Sequence, residues 1–322
     1  MMGCHAAPAF RCGASRNDGG VGEGGRLHLT LSPTISGVLV FTLGLSFIAL
    51  ADAMAKVLGQ SMHSVQVVWL YLVSVLTVLM LYFAVTRRNL RTLARTKRPG
   101  LQVARGLSIL GSLTFIFASL QYLPLAEATV INFTGPLFMV ALAGPMLGET
   151  VGWRRWAAVL AGLAGAMIVV RPGSEVFQWA ALLPIASAVF FALFQLITRK
   201  LAGQDGAMTT LLYTQVTAAS GAVLAAPFFW TPITLGQFGF VFIAGCVGLA
   251  AHICMFNAFR LADASLLAPI NYTRIVASVL LGYVIFGDLP DAYTIAGGAV
   301  IVGSGLFVIY RESRVRARIP RP

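Results

Sequence analysis

Long apolar runs alternate with short polar segments along almost the whole chain. A helix needs about 20 mainly apolar residues to cross the hydrocarbon core of a bilayer. Ten runs reach that length, and they lie at residues 34–56, 63–86, 101–120, 124–147, 152–171, 177–198, 208–228, 236–258, 264–287 and 291–310. This pattern predicts an all-α integral membrane protein with ten transmembrane helices.

The composition agrees with a membrane setting. Hydrophobic residues make up 58% of the 322 residues and charged residues 11%, whereas a soluble domain carries about 25% charged residues. The net charge of +12 would suggest a nucleic-acid partner in a soluble protein. Here the basic residues fall in short clusters between apolar runs, so we expect the lipid bilayer as the partner and no nucleic acid.

The basic residues also predict an orientation. Most of the 23 Lys and Arg residues lie in alternate connections, above all 87–98, and in the two terminal segments. The opposite connections contain only Lys56 and Arg171, both at the ends of spans. Arg105 lies a turn into the third span, from where its side chain can snorkel to the cytoplasmic surface. Because basic connections stay in the cytoplasm, we expect a multi-pass protein of the cytoplasmic (inner) membrane with both termini in the cytoplasm.

The two halves of the chain repeat one another. Leu-Ala-Glu-Ala at 125–128 matches Leu-Ala-Asp-Ala at 261–264, and Asn-Phe-Thr at 132–134 matches Asn-Tyr-Thr at 271–273. Each copy contains five spans, and an odd number inserts the second copy upside down. Secondary transporters are built from such inverted-topology repeats, with the substrate site near the membrane midplane between them. Chance similarity between Leu- and Ala-rich helices is the alternative.

The repeat divides the chain into four parts. Residues 1–33 are Gly-rich and lack the apolar core of a signal peptide, and we interpret them as a disordered leader without a function of its own. The first five-helix repeat covers 34–171 and the second covers 177–310. Residues 311–322 form a basic cytoplasmic tail.

Several motifs are shared with a known family. They are DAMAK at 52–56, LPLAEAT at 123–129, GWRRW at 152–156, RLADASLLAP at 260–269 and LLGYVIFGD at 280–288. With them the chain resembles the drug/metabolite transporter superfamily, in its EamA-type branch of ten-helix transporters with two EamA repeats. Members carry amino acids, nucleotide-derived cofactors, vitamins and drugs, so the resemblance implies a transporter without selecting the substrate. Relatives commonly have an arginine early in the second span, where this chain has Tyr71.

The ninth predicted span contains a permanent cation, Arg274, near its middle. Asn271, Arg274 and Ser278 share one helical face, and a charge inside the bilayer faces protein or a water-filled cavity. Together with Tyr272, and with Asn132 at the repeat position of Asn271, this face is the candidate substrate-binding site. Arg274 would anchor an anionic or carbonyl-bearing substrate. The alternative is a structural arginine bonded to carbonyls and a carboxylate.

Other polar and aromatic residues inside the spans admit two interpretations each. Asp52 and Lys56 are four residues apart and can pair, so Asp52 is either a proton-coupling carboxylate or the partner of Lys56. His252 is either a core histidine or a proton relay and substrate contact. Trp69 and Tyr71 either stack on a flat substrate or pack within the membrane.

The sequence favours transport over catalysis. It contains no HExxH, no GxSxG and no glycine-rich phosphate loop, so we expect no enzyme, no catalytic residues, no metal and no cofactor. Without an ATPase motif, movement of the substrate would depend on a gradient of an ion or of the substrate itself.

We therefore predict a secondary transporter that moves a small polar metabolite by alternating access. Riboflavin-like vitamins rank first, followed by amino acids and nucleoside-derived cofactors such as S-adenosylmethionine. The alternatives are an exporter of amino acids or drug-like metabolites on the same fold and a non-transporting membrane scaffold. A homodimer is an alternative to a monomer.

Overall fold

The computed structural model describes residues 33–87, 93, 95–148, 152–172, 179–201, 204–262 and 264–317. The predicted leader, except Pro33, lies outside the described residues, and so does the end of the predicted tail from residue 318. The part of that tail that is described, up to Ala317, continues the last helix.

Within these ranges the chain is a bundle of helices. They are α1 (Pro33–Gly59), α2 (Ser64–Val85), α3 (Pro99–Ser119), α4 (Leu125–Asn132), α5 (Gly135–Leu147), α6 (Trp153–Val170), α7 (Leu182–Leu201), α8 (Ala207–Ala225), α9 (Leu235–Leu261), α10 (Ala264–Ile270), α11 (Thr273–Leu281) and α12 (Ala292–Ala317). Two short 3₁₀ helices, Trp179–Ala181 and Ala226–Phe229, precede α7 and follow α8. A π-helical turn, Gly282–Phe286, follows α11.

The helices confirm the predicted transmembrane architecture. In the described ranges, 9 helical segments are long and apolar enough to cross a membrane, and Thr273–Phe286 is a shorter apolar segment. Together they coincide with the ten predicted spans. Helices form here because hydrocarbon offers no partner to backbone N–H and C=O groups, which must therefore bond within the segment.

The fourth and ninth spans are each interrupted, although the sequence pattern predicts them as continuous. The fourth span consists of α4 and α5, separated at Phe133 and Thr134, and the ninth consists of α10 and α11, separated at Asn271 and Tyr272. In the fourth span Pro136 removes a backbone donor just after the interruption, which breaks the regular i to i−4 ladder. Non-helical backbone at this depth persists where it contacts protein or a cavity.

Both interrupted spans also end in the same way. Gly148 closes α5 with φ of 70°, and Gly287 ends the π-helical turn after α11 with φ of 72°. Glycine adopts this left-handed backbone without the steric cost that a Cβ atom brings. The two glycines occupy equivalent positions in the repeat, so the local chemistry that ends a span is repeated as well.

Helix packing follows the internal repeat. The contact of α1 with α9 corresponds to the contact of α7 with α3. In the same way, α2 with α9 corresponds to α8 with α3, and α5 with α7 corresponds to α11 with α1. Among the other contacts, α6 with α12 and α2 with α8 join counterpart helices, and α4 with α11 joins the counterpart fourth and ninth spans. The most extensive interfaces therefore come in pairs or join the counterpart spans, which is the packing expected of inverted repeats. The largest buried apolar cluster includes Leu72 and Phe83 of α2, Phe117 of α3 and Ile131 of α4.

Small residues allow helices of the two repeats to approach each other closely. A Cβ atom on Gly106 of α3 would lie 2.5 Å from the Cβ of Thr217 in α8, and a Cβ on Gly245 of α9 would lie 2.5 Å from the Cβ of Ser74 in α2. Van der Waals packing between close backbones is a main source of helix association in membranes. These two contacts hold α8 and α2 in fixed positions against α3 and α9, the helices that carry Arg105 and His252.

Candidate functional site

The interruptions of the fourth and ninth spans meet inside the bundle. The rings of Phe133 and Tyr272, one from each interruption, have centroids 5.1 Å apart. The hydroxyl of Thr129 in α4 donates to that of Ser278 in α11 over 3.1 Å. Asn271 lies at the second interruption, next to Tyr272. Three residues of the candidate site, Asn271, Tyr272 and Ser278, therefore lie where the two repeats cross.

A buried ion pair joins α1 to α11 near this crossing. Nη2 of Arg274 lies 2.6 Å from Oδ2 of Asp52, and the side chains are only 17% and 8% exposed, respectively. The carboxylate neutralises the guanidinium, which lowers the cost of placing it inside the membrane. Asp52 thus supplies the carboxylate partner that the structural interpretation of Arg274 requires.

The predicted pair between Asp52 and Lys56 is wrong. Nζ of Lys56 instead lies 2.8 Å from Oδ2 of Asp288, in the segment that links α11 and its π-helical turn to α12. Lys56 also lies over the ring of Phe286, 4.5 Å from its centroid. Because α1 packs along α11 and its continuation, each of the two ionic side chains of α1 finds a partner across the helix interface.

Asn132 belongs to a polar network between three helices. Its Nδ2 donates to Oγ of Ser187 over 2.9 Å and to the carbonyl of Pro184 over 3.3 Å, both in α7. The hydroxyl of Ser187 in turn donates to the carbonyl of Ser112 in α3 over 2.9 Å. Asn132 therefore ties the end of α4 to α7, which is a structural role in this state of the protein.

Trp69 and Tyr71 of α2 both contact other aromatic rings. The indole of Trp69 packs edge-on against Trp230, with centroids 5.6 Å apart. The ring of Tyr71 packs edge-on against Phe117, with centroids 5.6 Å apart, and its hydroxyl lies directly against Gly248 of α9. Tyr71 thus occupies the space that the absence of a side chain at Gly248 leaves open.

Some donors among the candidate residues have no acceptor. In the described part of the chain, Nε1 of Trp69, Oη of Tyr272 and Nε of Arg274 are buried without a hydrogen-bond partner. A buried unpaired polar group costs roughly 1–3 kcal/mol. Such atoms are available to a ligand, to water or to a second conformation of the protein.

A cavity of about 750 Å³ lies at the end of the bundle where α2 and α9 end and α3 and α8 begin. Its polar lining includes Arg105, Asp205, His252, Asn257 and Arg260. Of the residues predicted from the sequence, His252 lines this cavity, whereas Asn132, Asn271, Tyr272, Arg274, Ser278, Trp69, Tyr71, Asp52 and Lys56 do not. The structure therefore separates the predicted residues into a group at the repeat crossing and a single residue in the cavity.

Arg105 was not among the predicted site residues, and its interpretation as a snorkelling side chain is wrong. Its Nε donates to Oγ1 of Thr198 in α7 over 2.6 Å, and Nη1 donates to the carbonyl of Thr210 over 3.2 Å and to the hydroxyl of Thr214, both in α8. The guanidinium carbon lies 4.3 Å from the ring centroid of Phe194. The side chain is held across the bundle, because α7 and α8 present these threonines toward α3.

Asp205 fixes the connection between α7 and α8 at the mouth of the cavity. Its carboxylate accepts hydrogen bonds from the side chains of Thr96 and Gln102, at 2.5 and 2.8 Å, and from the backbone N–H of Lys97 at 3.3 Å. These bonds, the one from Thr96 above all, hold the pKa of Asp205 below its usual value. The mouth thus carries a fixed negative charge at neutral pH.

The other end of the bundle is held together by polar contacts between the two repeats. Besides Lys56 and Asp288, Gln66 of α2 exchanges hydrogen bonds with the backbone of Thr231, donating over 2.8 Å and accepting over 3.0 Å. The side chain of Gln237 donates to Ser61 over 3.1 Å. Arg171 pairs with Asp291 beside a smaller cavity of about 200 Å³. Polar contacts therefore join the repeats at both ends, and the ends differ in the size of their cavities. We call the end with the large cavity the open end and the end with the Lys56–Asp288 pair the bridged end.

Family comparison decides the class of the protein. The model of the EamA-like transporter family matches residues 35–171 and again 178–311. The chain belongs to the EamA-like transporter family. The resemblance drawn from the sequence motifs is thereby confirmed, and the protein is a multi-pass membrane protein of the drug/metabolite transporter superfamily, a class that moves small metabolites.

Individual relatives differ in what they carry. An S-adenosylmethionine uptake transporter of Rickettsia bellii is 31% identical over 88% of this chain and 96% of its own length. A riboflavin transporter of Rhizobium johnstonii is 35% identical over 63% of this chain and 67% of its own length. A solved crystal structure with 22% identity covers 88% of this chain and 98% of its own chain with a TM-score of 0.57, which shows the shared fold.

Proposed function

We propose that this member of the EamA-like family is a secondary transporter that moves a small polar metabolite across the cytoplasmic membrane by alternating access. The observation that carries the proposal is the asymmetry of the bundle. A cavity of about 750 Å³ opens at one end, whereas the other end has a cavity of about 200 Å³ and is joined by contacts such as Lys56–Asp288. Pockets of about 300–1,000 Å³ suit small organic ligands.

The open end faces the cytoplasm in this proposal. The cavity is lined by the end of α2 and the end of α7. In the sequence the basic connection 87–98 follows α2, and α7 contains the Arg199–Lys200 pair; basic connections stay on the cytoplasmic side. The state described is then inward-facing. Substrate would exchange with the cytoplasm through the cavity, and the bridged end would open only after its inter-repeat contacts separate.

The residues at the repeat crossing would link the closing of one end of the bundle to the opening of the other. Asp52 and Arg274 join the repeats through a buried pair, and a proton or substrate group that competes for either partner would loosen α1 from α11. The unpaired donors of Trp69, Tyr272 and Arg274 would be satisfied by substrate or water as the protein changes state. This retains Arg274, Asn271, Tyr272, Ser278, Asn132, Trp69 and Tyr71 as contacts along the substrate path, with Asp52 and Lys56 as coupling residues.

S-adenosylmethionine is the first candidate substrate and riboflavin the second. The S-adenosylmethionine relative aligns along 88% of this chain, a longer match than the 63% of the riboflavin relative. The cavity presents both charge signs, with Arg105 and Arg260 facing the same space as Asp205. S-adenosylmethionine carries a carboxylate, an ammonium and a sulfonium, so it matches a lining of mixed charge better than a neutral flavin does.

Transport by the purified protein in liposomes tests the proposal. We expect liposomes loaded with unlabelled S-adenosylmethionine to take up the labelled compound by exchange, and empty liposomes without protein to take up none. Parallel arms with riboflavin, and with a proton gradient in each direction, identify the substrate and the driving force. If Asp52 couples transport to protons, Asp52→Asn should retain exchange and lose accumulation. If neither compound is exchanged, neither is the substrate. If no metabolite of a pooled cytosolic extract is exchanged, the proposal of transport is refuted.

A further inference from the structure

Arg105 is bonded differently from other basic side chains in the spans. Three of those pair with carboxylates: Lys56 with Asp288, Arg171 with Asp291 and Arg274 with Asp52. Within the described residues, the bonds of Arg105 all go to neutral oxygens of Thr198, Thr210 and Thr214. A partly buried guanidinium without a counter-ion favours an incoming anion, because the anion recovers the attraction that an internal carboxylate supplies elsewhere.

The position of Arg105 makes it accessible to a ligand. It lines the large cavity together with Thr198 and His252. Its protein bonds use Nε and Nη1, and no acceptor among the described residues meets Nη2. The ring of Phe194 supports one face of the guanidinium. The planar fork of arginine matches the two oxygens of a carboxylate, a geometry that lysine does not offer.

His252 supplies a complementary acceptor in the same cavity. Its Nδ1 lies 2.8 Å from the carbonyl oxygen of Gly248. A carbonyl only accepts, so Nδ1 carries the proton and Nε2 of the neutral ring is left as an acceptor. Arg105 lines the same cavity. A cationic donor and a neutral acceptor in one cavity match an α-amino acid group, which has a carboxylate and an ammonium on one carbon.

We propose that Arg105 binds the carboxylate, and that Nε2 of His252 accepts a hydrogen bond from the ammonium, of a substrate that carries an α-amino acid group. The inference rests on the proposed transport function and narrows its substrate class. S-adenosylmethionine belongs to that class, and riboflavin does not.

Binding to the full-length protein in lipid nanodiscs tests the assignment, with calorimetry as the readout. S-adenosylmethionine and its decarboxylated analogue differ by the carboxylate alone. We expect the wild type to bind the first more tightly by on the order of 10- to 100-fold, as for loss of charge-assisted hydrogen bonds. Arg105→Gln should bring that ratio close to one. His252→Leu should weaken both compounds equally, because both retain the amine.

The matched control is Arg154→Gln, which removes an exposed arginine that does not line the cavity and should leave the ratio unchanged. If Arg105→Gln yields no folded protein, Arg105→Lys is the second test. Lysine keeps the charge but lacks the two parallel N–H donors of arginine, so the ratio of the two affinities should fall. A ratio near one in the wild type, or one that persists in the Arg105 variant, would overturn the assignment. So would a failure of S-adenosylmethionine and methionine to bind at all, whereas exchange of riboflavin in liposomes would still uphold the transport function.

Discussion

Removing one partner of the ion pair between Asp52 and Arg274 should destabilise the protein strongly, and removing both should destabilise it much less. The two side chains are 8% and 17% exposed and lie 2.6 Å apart, so either one alone becomes a buried charge without a partner. Removal of one member of a buried pair costs about 3–5 kcal/mol, whereas replacement of both by uncharged groups of similar volume is often close to neutral. Asp52→Asn and Arg274→Met should each fall in the first range, and the double variant should recover most of the loss.

The assay is a double-mutant cycle on the protein unfolded in detergent by a denaturant, followed by circular dichroism. Lys56→Met is the matched control, since Lys56 and Asp288 form a pair at the end of the bundle in which the aspartate is 34% exposed. Pairs of that kind contribute about 0–1 kcal/mol. Losses for Asp52→Asn and Arg274→Met that add within about 0.5 kcal/mol in the double variant would refute direct coupling. A stable Arg274→Met that loses only ligand binding would return Arg274 to the role of substrate anchor.

Three further predictions follow from individual residues. A cysteine at Thr234 should react with a membrane-impermeant thiol reagent from outside the cell and one at Thr96 should not, and the reverse labelling would refute the orientation. Hydrogen bonds, chiefly from Thr96, hold the pKa of Asp205 below 3.8, so their stabilising contribution is full above that value and is lost as pH falls through the lowered pKa. The difference in thermal stability between wild type and Asp205→Asn should therefore be constant from about pH 7 to pH 5 and shrink below about pH 4, and a difference that grows toward acid would contradict this. Gly248→Ala would place a Cβ 2.9 Å from Cζ of Tyr71 and should cost about 1–3 kcal/mol, with partial rescue by Tyr71→Phe; a neutral Gly248→Ala would show that α9 can move away from α2.

The transmembrane architecture was predictable because the bilayer imposes it on the sequence. Each span must be long and apolar, so hydropathy alone located segments such as Ser64–Val85 and Trp153–Val170 within a few residues. The interruptions were harder to place, since Pro136 indicates one of them while the second, at Asn271 and Tyr272, falls after Pro269 in an otherwise apolar run. A hydropathy pattern reports length and burial, and it does not report where the backbone leaves the helical ladder.

The candidate site was less predictable because its partners come from distant parts of the chain. Asp52 and Lys56 are one helical turn apart, and only local pairs of this kind can be identified from a sequence alone. Their actual partners, Arg274 and Asp288, are 222 and 232 residues away and are selected by how α1 packs on α11. Arg105 was missed for the same reason, because the threonines that hold it belong to α7 and α8. The recurrence of threonine on those two helices facing the third span was the signal available.

Separation of the bridged end is the central claim of this account, and a reversible cross-link tests it most directly. In a background with Cys4, Cys12, Cys246 and Cys254 replaced by alanine, cysteines at Lys56 and Asp288 can be joined by a bis-methanethiosulfonate linker and released with dithiothreitol. Exchange of labelled S-adenosylmethionine in liposomes is then measured in the joined and released forms of the same protein. We predict that the joined form does not exchange substrate and that release restores exchange to the level before cross-linking. Full exchange by the joined form would contradict alternating access through this end of the bundle.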